Sequence, residues 1–197
     1  MPSATINRRA YSHDPLLDEM RSLWDDAEQI WQRNLKHEGF GGYVSADYAE
    51  IYRALVRLEG RVETVLEWGS GLGVVAIMAS RLGYCAYGIE VEPALVAYAQ
   101  QLSETYASDA QFAAGSFIPD DYEWGTETRE NPSRTDTDSR AGYDELDMEP
   151  VDFDLIYAYP WPDEHDFFVD ILQKCARRSA LFLSYDAREG VALTVID

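Results

Sequence analysis

Residues Val65 to Gly73 run Val-Leu-Glu-Trp-Gly-Ser-Gly-Leu-Gly. An apolar strand pattern ends in an acid, glycines then alternate at positions 69, 71 and 73, and a helical run follows to about Leu82. Glycine gives the backbone the freedom to turn sharply there. A second strand pattern, Tyr84 to Glu90, closes the unit and again ends in an acid. A strand–turn–helix–strand unit of this kind commits the chain to an α/β architecture.

The alternation continues. Pro93 opens a helix with Leu95, Val96, Tyr98, Ala99 and Leu102 inward, and a short strand is expected near Ala110 to Ala114. A strand from Phe153 to Ala158, a helix from about Asp163 to Arg177, a strand from Ala180 to Tyr185 and a last strand from Val191 to Ile196 complete the pattern. The fold class is therefore α/β: a single doubly wound, mostly parallel sheet with helices on both faces, preceded by an N-terminal helical extension. Residues 1–13 are expected to form a flexible tail, 14–60 helices that cap the sheet, and 61–197 the Rossmann-like domain. Asp14-Pro15 supplies an N-cap and a proline at the first helical position. Leu16, Met20, Leu23, Trp24, Ala27, Ile30, Trp31 and Leu35 then recur at helical spacing. Gly39 to Val44 is a glycine-rich loop, after which Ser45 is the expected cap of a second helix. The long first helix is expected either to cover the open sheet edge or to support a homodimer.

Between the third and fourth strands, Asp120 to Asp152 holds twelve acids against Arg129, Arg134 and Arg140, a net of −9, with sparse apolar residues and no period. It is expected to be a mobile acidic insertion. The whole chain of 197 residues carries a formal charge of −20. That field disfavours nucleic acid and anionic lipid as partners and leaves a small molecule or a protein as substrate. Cys85 and Cys175 fall on apolar patterns and are expected to be small buried hydrophobes, with neither a disulfide nor a metal site. No stretch approaches the roughly 18 apolar residues of a membrane span, and the start lacks the apolar core of a signal peptide. The expected setting is cytoplasmic.

Ligands of such a sheet sit at the carboxyl ends of the strands, where the glycine turn, Glu90, Ser116 and Tyr159 all fall. The helix after Gly73 aims its N-terminus at the turn, which favours a carboxylate. Glu67 can take an ammonium group, and Glu90, twenty-one residues after Gly69, can accept from ribose hydroxyls. S-adenosylmethionine carries all three groups. A dinucleotide is the competitor, because Gly71 to Ala76 fits G-x-G-x-x-A, but its pyrophosphate would be repelled by Glu67.

The sequence resembles the class I S-adenosylmethionine-dependent methyltransferases over roughly residues 40 to 186. Glu67-Trp68-Gly69-Ser70-Gly71-Leu72-Gly73 is similar to their first motif, Gly88-Ile89-Glu90 to their second, and Asp154 to Ala158 with Tyr159-Pro160-Trp161-Pro162 to their fourth. The resemblance implies that Glu67, Gly69, Gly71 and Gly73 hold the methionine part and that Glu90 binds ribose. It places Val91, Ser116 and Phe117 at the adenine, with serine where many members carry an acid. Tyr43 and Ser45 belong to a segment that covers the cofactor in several members. Tyr159 and Trp161 are the implied substrate-positioning residues, although tyrosine replaces the Asn or Asp with which amino-group methyltransferases begin this motif. Asp163, Glu164 and His165 just beyond are expected to be solvated first-turn residues, and His13 and His37 surface residues. The family usually ends its sheet with an antiparallel hairpin, for which the chain leaves only Val191 to Ile196. The expected activity is methyl transfer to a small molecule or protein side chain. The alternatives are a cofactor-binding relative without turnover and a small NAD-dependent oxidoreductase.

Overall fold

The computed structural model describes residues 14–37, 40, 45–123, 132 and 134–197. The tail expected over residues 1–13, and Tyr43 with most of the glycine-rich loop, lie outside them. The elements are α1 (Pro15–Asn34), α2 (Tyr48–Leu58), β1 (Thr64–Trp68), α3 (Val74–Arg81), β2 (Cys85–Glu90), α4 (Pro93–Thr105), β3 (Gln111–Ala114), α5 (Tyr143–Leu146), a 3-10 turn (Pro150–Asp152), β4 (Leu155–Ala158), α6 (His165–Cys175), β5 (Leu181–Asp186) and β6 (Gly190–Val195).

The six strands form one sheet in the order β3-β2-β1-β4-β5-β6. The first five are parallel and β6 returns antiparallel on β5, Leu183 opposite Leu193. The period of two sends alternate residues to opposite faces. Val65, Leu155, Tyr157, Leu181 and Leu183 enter one core with α1 to α4, while Leu66, Trp68, Ile156, Ala158 and Phe182 enter the other with α5 and α6. Both faces are covered, which is why the parallel strands are apolar at successive positions. The strand order reverses between β1 and β4, so a crevice opens at their carboxyl ends.

The Asp14 side chain accepts from the Leu16 and Leu17 N–H groups and starts α1, whose Met20, Leu23 and Ala27 are buried. This stripe lies against α3, where Trp24 Nε1 donates to Met78 Sδ at 3.2 Å. The helix that reaches the edge strand β6 is α2. Leu35, expected on the stripe, is 51% exposed because α1 ends at Asn34. Ser45 does not cap α2: Asp47 does, accepting from Ala49 N–H at 3.0 Å and Glu50 N–H at 3.1 Å.

Two further expectations are corrected. Cys85 is exposed, because it stands at the start of β2, outside the helix cover, and Cys175 is half-buried in the last turn of α6. The insertion is not a structureless loop from Arg134 onward. Ser116 bridges to Ala141, and Tyr143, Leu146 and Pro150 are buried beneath the second face. Those three residues are too few among their acidic neighbours to announce an element, yet they supply the apolar area that anchors the segment. Among the described residues no helix is long and apolar enough to cross a membrane.

Candidate functional site

The β1–α3 turn holds Gly69, Gly71 and Gly73 at φ of +63°, +53° and +71°. Any side chain would be strained in this left-handed region. Gly73 also has no room: a Cβ there would lie 2.5 Å from the Phe112 ring and 2.9 Å from Ala99 Cβ. Gly73 therefore sets the approach of α3 to its neighbours and does not line the cavity, unlike Gly69 and Gly71. The turn is tied to β2 by the Ser70 N–H, which donates to the Ile89 carbonyl at 3.0 Å.

Glu67 and Glu90 flank this turn from adjacent strands, and both are buried. Glu67 Oε2 accepts from the Ala76 N–H at 2.8 Å, in the first turn of α3. Burial pushes its carboxyl up to about 8, against the hydrogen bonds from Ala76 and Val75; neighbouring Glu90 adds to the rise. Glu90 Oε2 accepts from the Gly71 N–H at 2.8 Å and Oε1 from the Glu92 N–H at 3.0 Å. Burial raises its carboxyl as well. Between them the Ser70 hydroxyl, 4% exposed, has no hydrogen-bond partner among the described residues.

These groups open on a cavity of about 740 Å³, in the range of ordinary cofactor sites. Val91, Gly115 and Phe117 line it beside Glu90, and Tyr159, Pro160 and Trp161 line it beyond β4. Phe117 is stacked on Trp68 at 4.8 Å and 14°. Its carbonyl accepts from Tyr143 Oη at 2.8 Å, and that hydroxyl in turn accepts from Trp68 Nε1 at 3.0 Å. The second half of the insertion thus fixes one wall. Tyr159 sits edge-on to Tyr185 at 4.9 Å, and its hydroxyl is raised by burial, then by Tyr185 and Asp186. Trp161 lies under the Arg134 guanidinium, 4.3 Å from the ring centroid, so one indole face is already covered.

The remaining expectations part from the geometry. Ser116 is buried but does not line the cavity, because its hydroxyl accepts from the Ile118 N–H at 3.1 Å within its own turn. Ser45 is exposed and away from the cavity, which Ala46 and Tyr48 line instead. Glu164 is not a solvated first-turn residue: it is 3% exposed and accepts from the Arg134 N–H at 2.7 Å and Thr135 Oγ1 at 2.6 Å. Arg134, Thr135 and Asp136 line the cavity, and no spacing in the sequence marks them.

No protein-family model and no curated protein matches the sequence. Solved structures do match its shape. An RNA methyltransferase from Salinibacter ruber in complex with S-adenosyl-L-homocysteine superposes with a TM-score of 0.51 at 17% identity, over 73% of this chain and 78% of that one. Cofactor-bound Rv0187 from MTB gives a TM-score of 0.52 at 17% identity, over 89% of this chain and 67% of that one. At such identities the likeness is one of fold: the chain shares with these structures a Rossmann-like, mostly parallel sheet.

Proposed function

We propose that the protein is an S-adenosylmethionine-dependent methyltransferase whose acceptor is a small molecule or a protein side chain. One observation carries the reading. Two buried carboxylates, Glu67 and Glu90, stand at the ends of adjacent strands across a glycine turn that also holds the unpartnered Ser70 hydroxyl. A buried acid without a cation is costly, and a ligand with an ammonium group relieves that cost. A pyrophosphate at the glycine turn would meet Glu67, which disfavours a dinucleotide.

In this reading Glu67 orients the ammonium group, the Gly69 to Gly71 backbone admits the carboxylate, Glu90 accepts from ribose, and Val91 and Phe117 border the adenine. The bound cofactor supplies an activated methyl group. Methyl transfer asks the protein mainly for alignment and removal of water. Tyr159, Pro160 and Trp161 would position the acceptor and wall off solvent. Tyr159 also carries the second reading, a binding protein without turnover, since it stands where amine methyltransferases have an amide or carboxylate.

Calorimetry with S-adenosylmethionine and S-adenosylhomocysteine tests the proposal. Both should bind, Glu90→Ala should abolish binding and Trp161→Ala should spare it. No heat from either compound at millimolar concentration overturns the reading. Binding without transfer of labelled methyl to any component of a cell extract favours the second.

A further inference from the structure

The cavity wall beyond Trp161 comes from the insertion, and a buried acid puts it there. Glu164 accepts from the Arg134 N–H at 2.7 Å and from Thr135 Oγ1 at 2.6 Å. The segment so held lays the Arg134 guanidinium over the Trp161 indole at 4.3 Å. Stacking engages the face of a guanidinium and leaves its N–H donors in the plane, able to meet a carboxylate or phosphate in bidentate fashion.

Arg134 is the one cation among the described residues that line the cavity. No described carboxylate forms an ion pair with it, and its guanidinium lies over the Trp161 ring at the cavity. The acids along the same wall have other partners. Asp136 accepts from the Asp138 and Ser139 N–H groups at 2.8 and 2.9 Å, and Asp186 from those of Arg188 and Glu189 at 2.7 and 2.9 Å.

Resting on the methyltransferase reading, we infer that Arg134 is a specificity-determining residue, and that the acceptor is a small molecule bearing an oxyanion, a carboxylate or a phosphate ester, which the guanidinium receives. The molecule is small because a net charge of −20 repels a polyanion that a single arginine cannot hold.

The test uses the full chain saturated with S-adenosylhomocysteine. Benzoate, phenyl phosphate and the neutral benzamide are titrated by ligand-observed NMR. At least one anion should bind about tenfold tighter than benzamide, the scale of a charge-assisted hydrogen-bond pair. Arg134→Gln should erase that preference, Arg134→Lys should keep part of it, and S-adenosylhomocysteine affinity should stay unchanged in both. The tighter of the two anions identifies the source of the oxyanion. Equal binding of all three probes, or a preference that survives Arg134→Gln, overturns the inference while bound S-adenosylhomocysteine leaves the methyltransferase reading standing. Failure of wild-type protein to bind S-adenosylhomocysteine overturns that reading instead, and the inference with it.

Discussion

Glu67 concentrates the electrostatic conflict of the site in one side chain. It is 5% exposed, and its hydrogen bonds do not offset the burial that lifts its carboxyl from 4.5 to about 8. The folded chain therefore holds a proton that the unfolded chain releases above its ordinary value. The stabilising contribution of this group is complete below 4.5 and is lost as pH rises through about 8. Glu67→Gln keeps the shape and removes the titration. Thermal melts between about pH 5 and pH 9 should show wild-type stability falling relative to the variant; parallel curves would overturn the assignment. An ammonium ligand favours the ionised carboxylate, so cofactor binding should release protons in this range, and Glu67→Gln should lose that release. At this scale the sequence was most legible. Glu67, the glycines and Glu90 sit in one local unit, and local spacing determines their relative positions. Gly73 is the exception, since its tightest constraint, the Phe112 ring, comes from another strand.

Among the elements, the helices and strands announce themselves wherever an apolar period persists. Even there a cap can shift: Asp47, not Ser45, accepts from the first N–H groups of α2. The insertion is the opposite case. From Arg134 onward it is held by non-local contacts, Tyr143 Oη to the Phe117 carbonyl and Glu164 to Arg134 and Thr135, which no window of sequence displays. Glu164 follows a proline turn at a helix start, where acids are usually exposed, yet it is buried. Its burial makes it a positioning residue for the wall that carries Arg134. Glu164→Ala should release that wall. The Arg134 and Thr135 amides should lose hydrogen-exchange protection while β1 and β4 keep theirs, at a cost of about 1–3 kcal/mol in global stability. Unchanged protection at both amides would show that the wall stands without Glu164.

The molecule as a whole pairs an ordinary sheet with an extraordinary charge. The mostly parallel sheet and its helix cover were legible because alternating strand and helix patterns admit few other arrangements, and packing on both faces explains the apolar runs. The charge of −20 has no counterpart in a described contact that would balance it. Five ion pairs are formed among the described residues, and those of Arg21 with Asp18 and Arg140 with Asp144 are largely exposed. Exposed pairs contribute little, and salt weakens them further. Self-repulsion of the compact state opposes folding and is also weakened by salt. The two effects have opposite signs, so a salt titration shows which dominates. With 36 acids against 16 bases, repulsion should win. The melting temperature should rise by roughly 2–4 °C, equivalent to about 1 kcal/mol in a domain of this size, between about 10 mM and 150 mM sodium chloride. The rise should flatten as the screening length falls below about 8 Å. A melting temperature that falls with salt would mean that the ion pairs outweigh the net charge. In the expected case the same field keeps polyanions off the surface, and recognition of an anionic acceptor must be local, at a guanidinium such as that of Arg134.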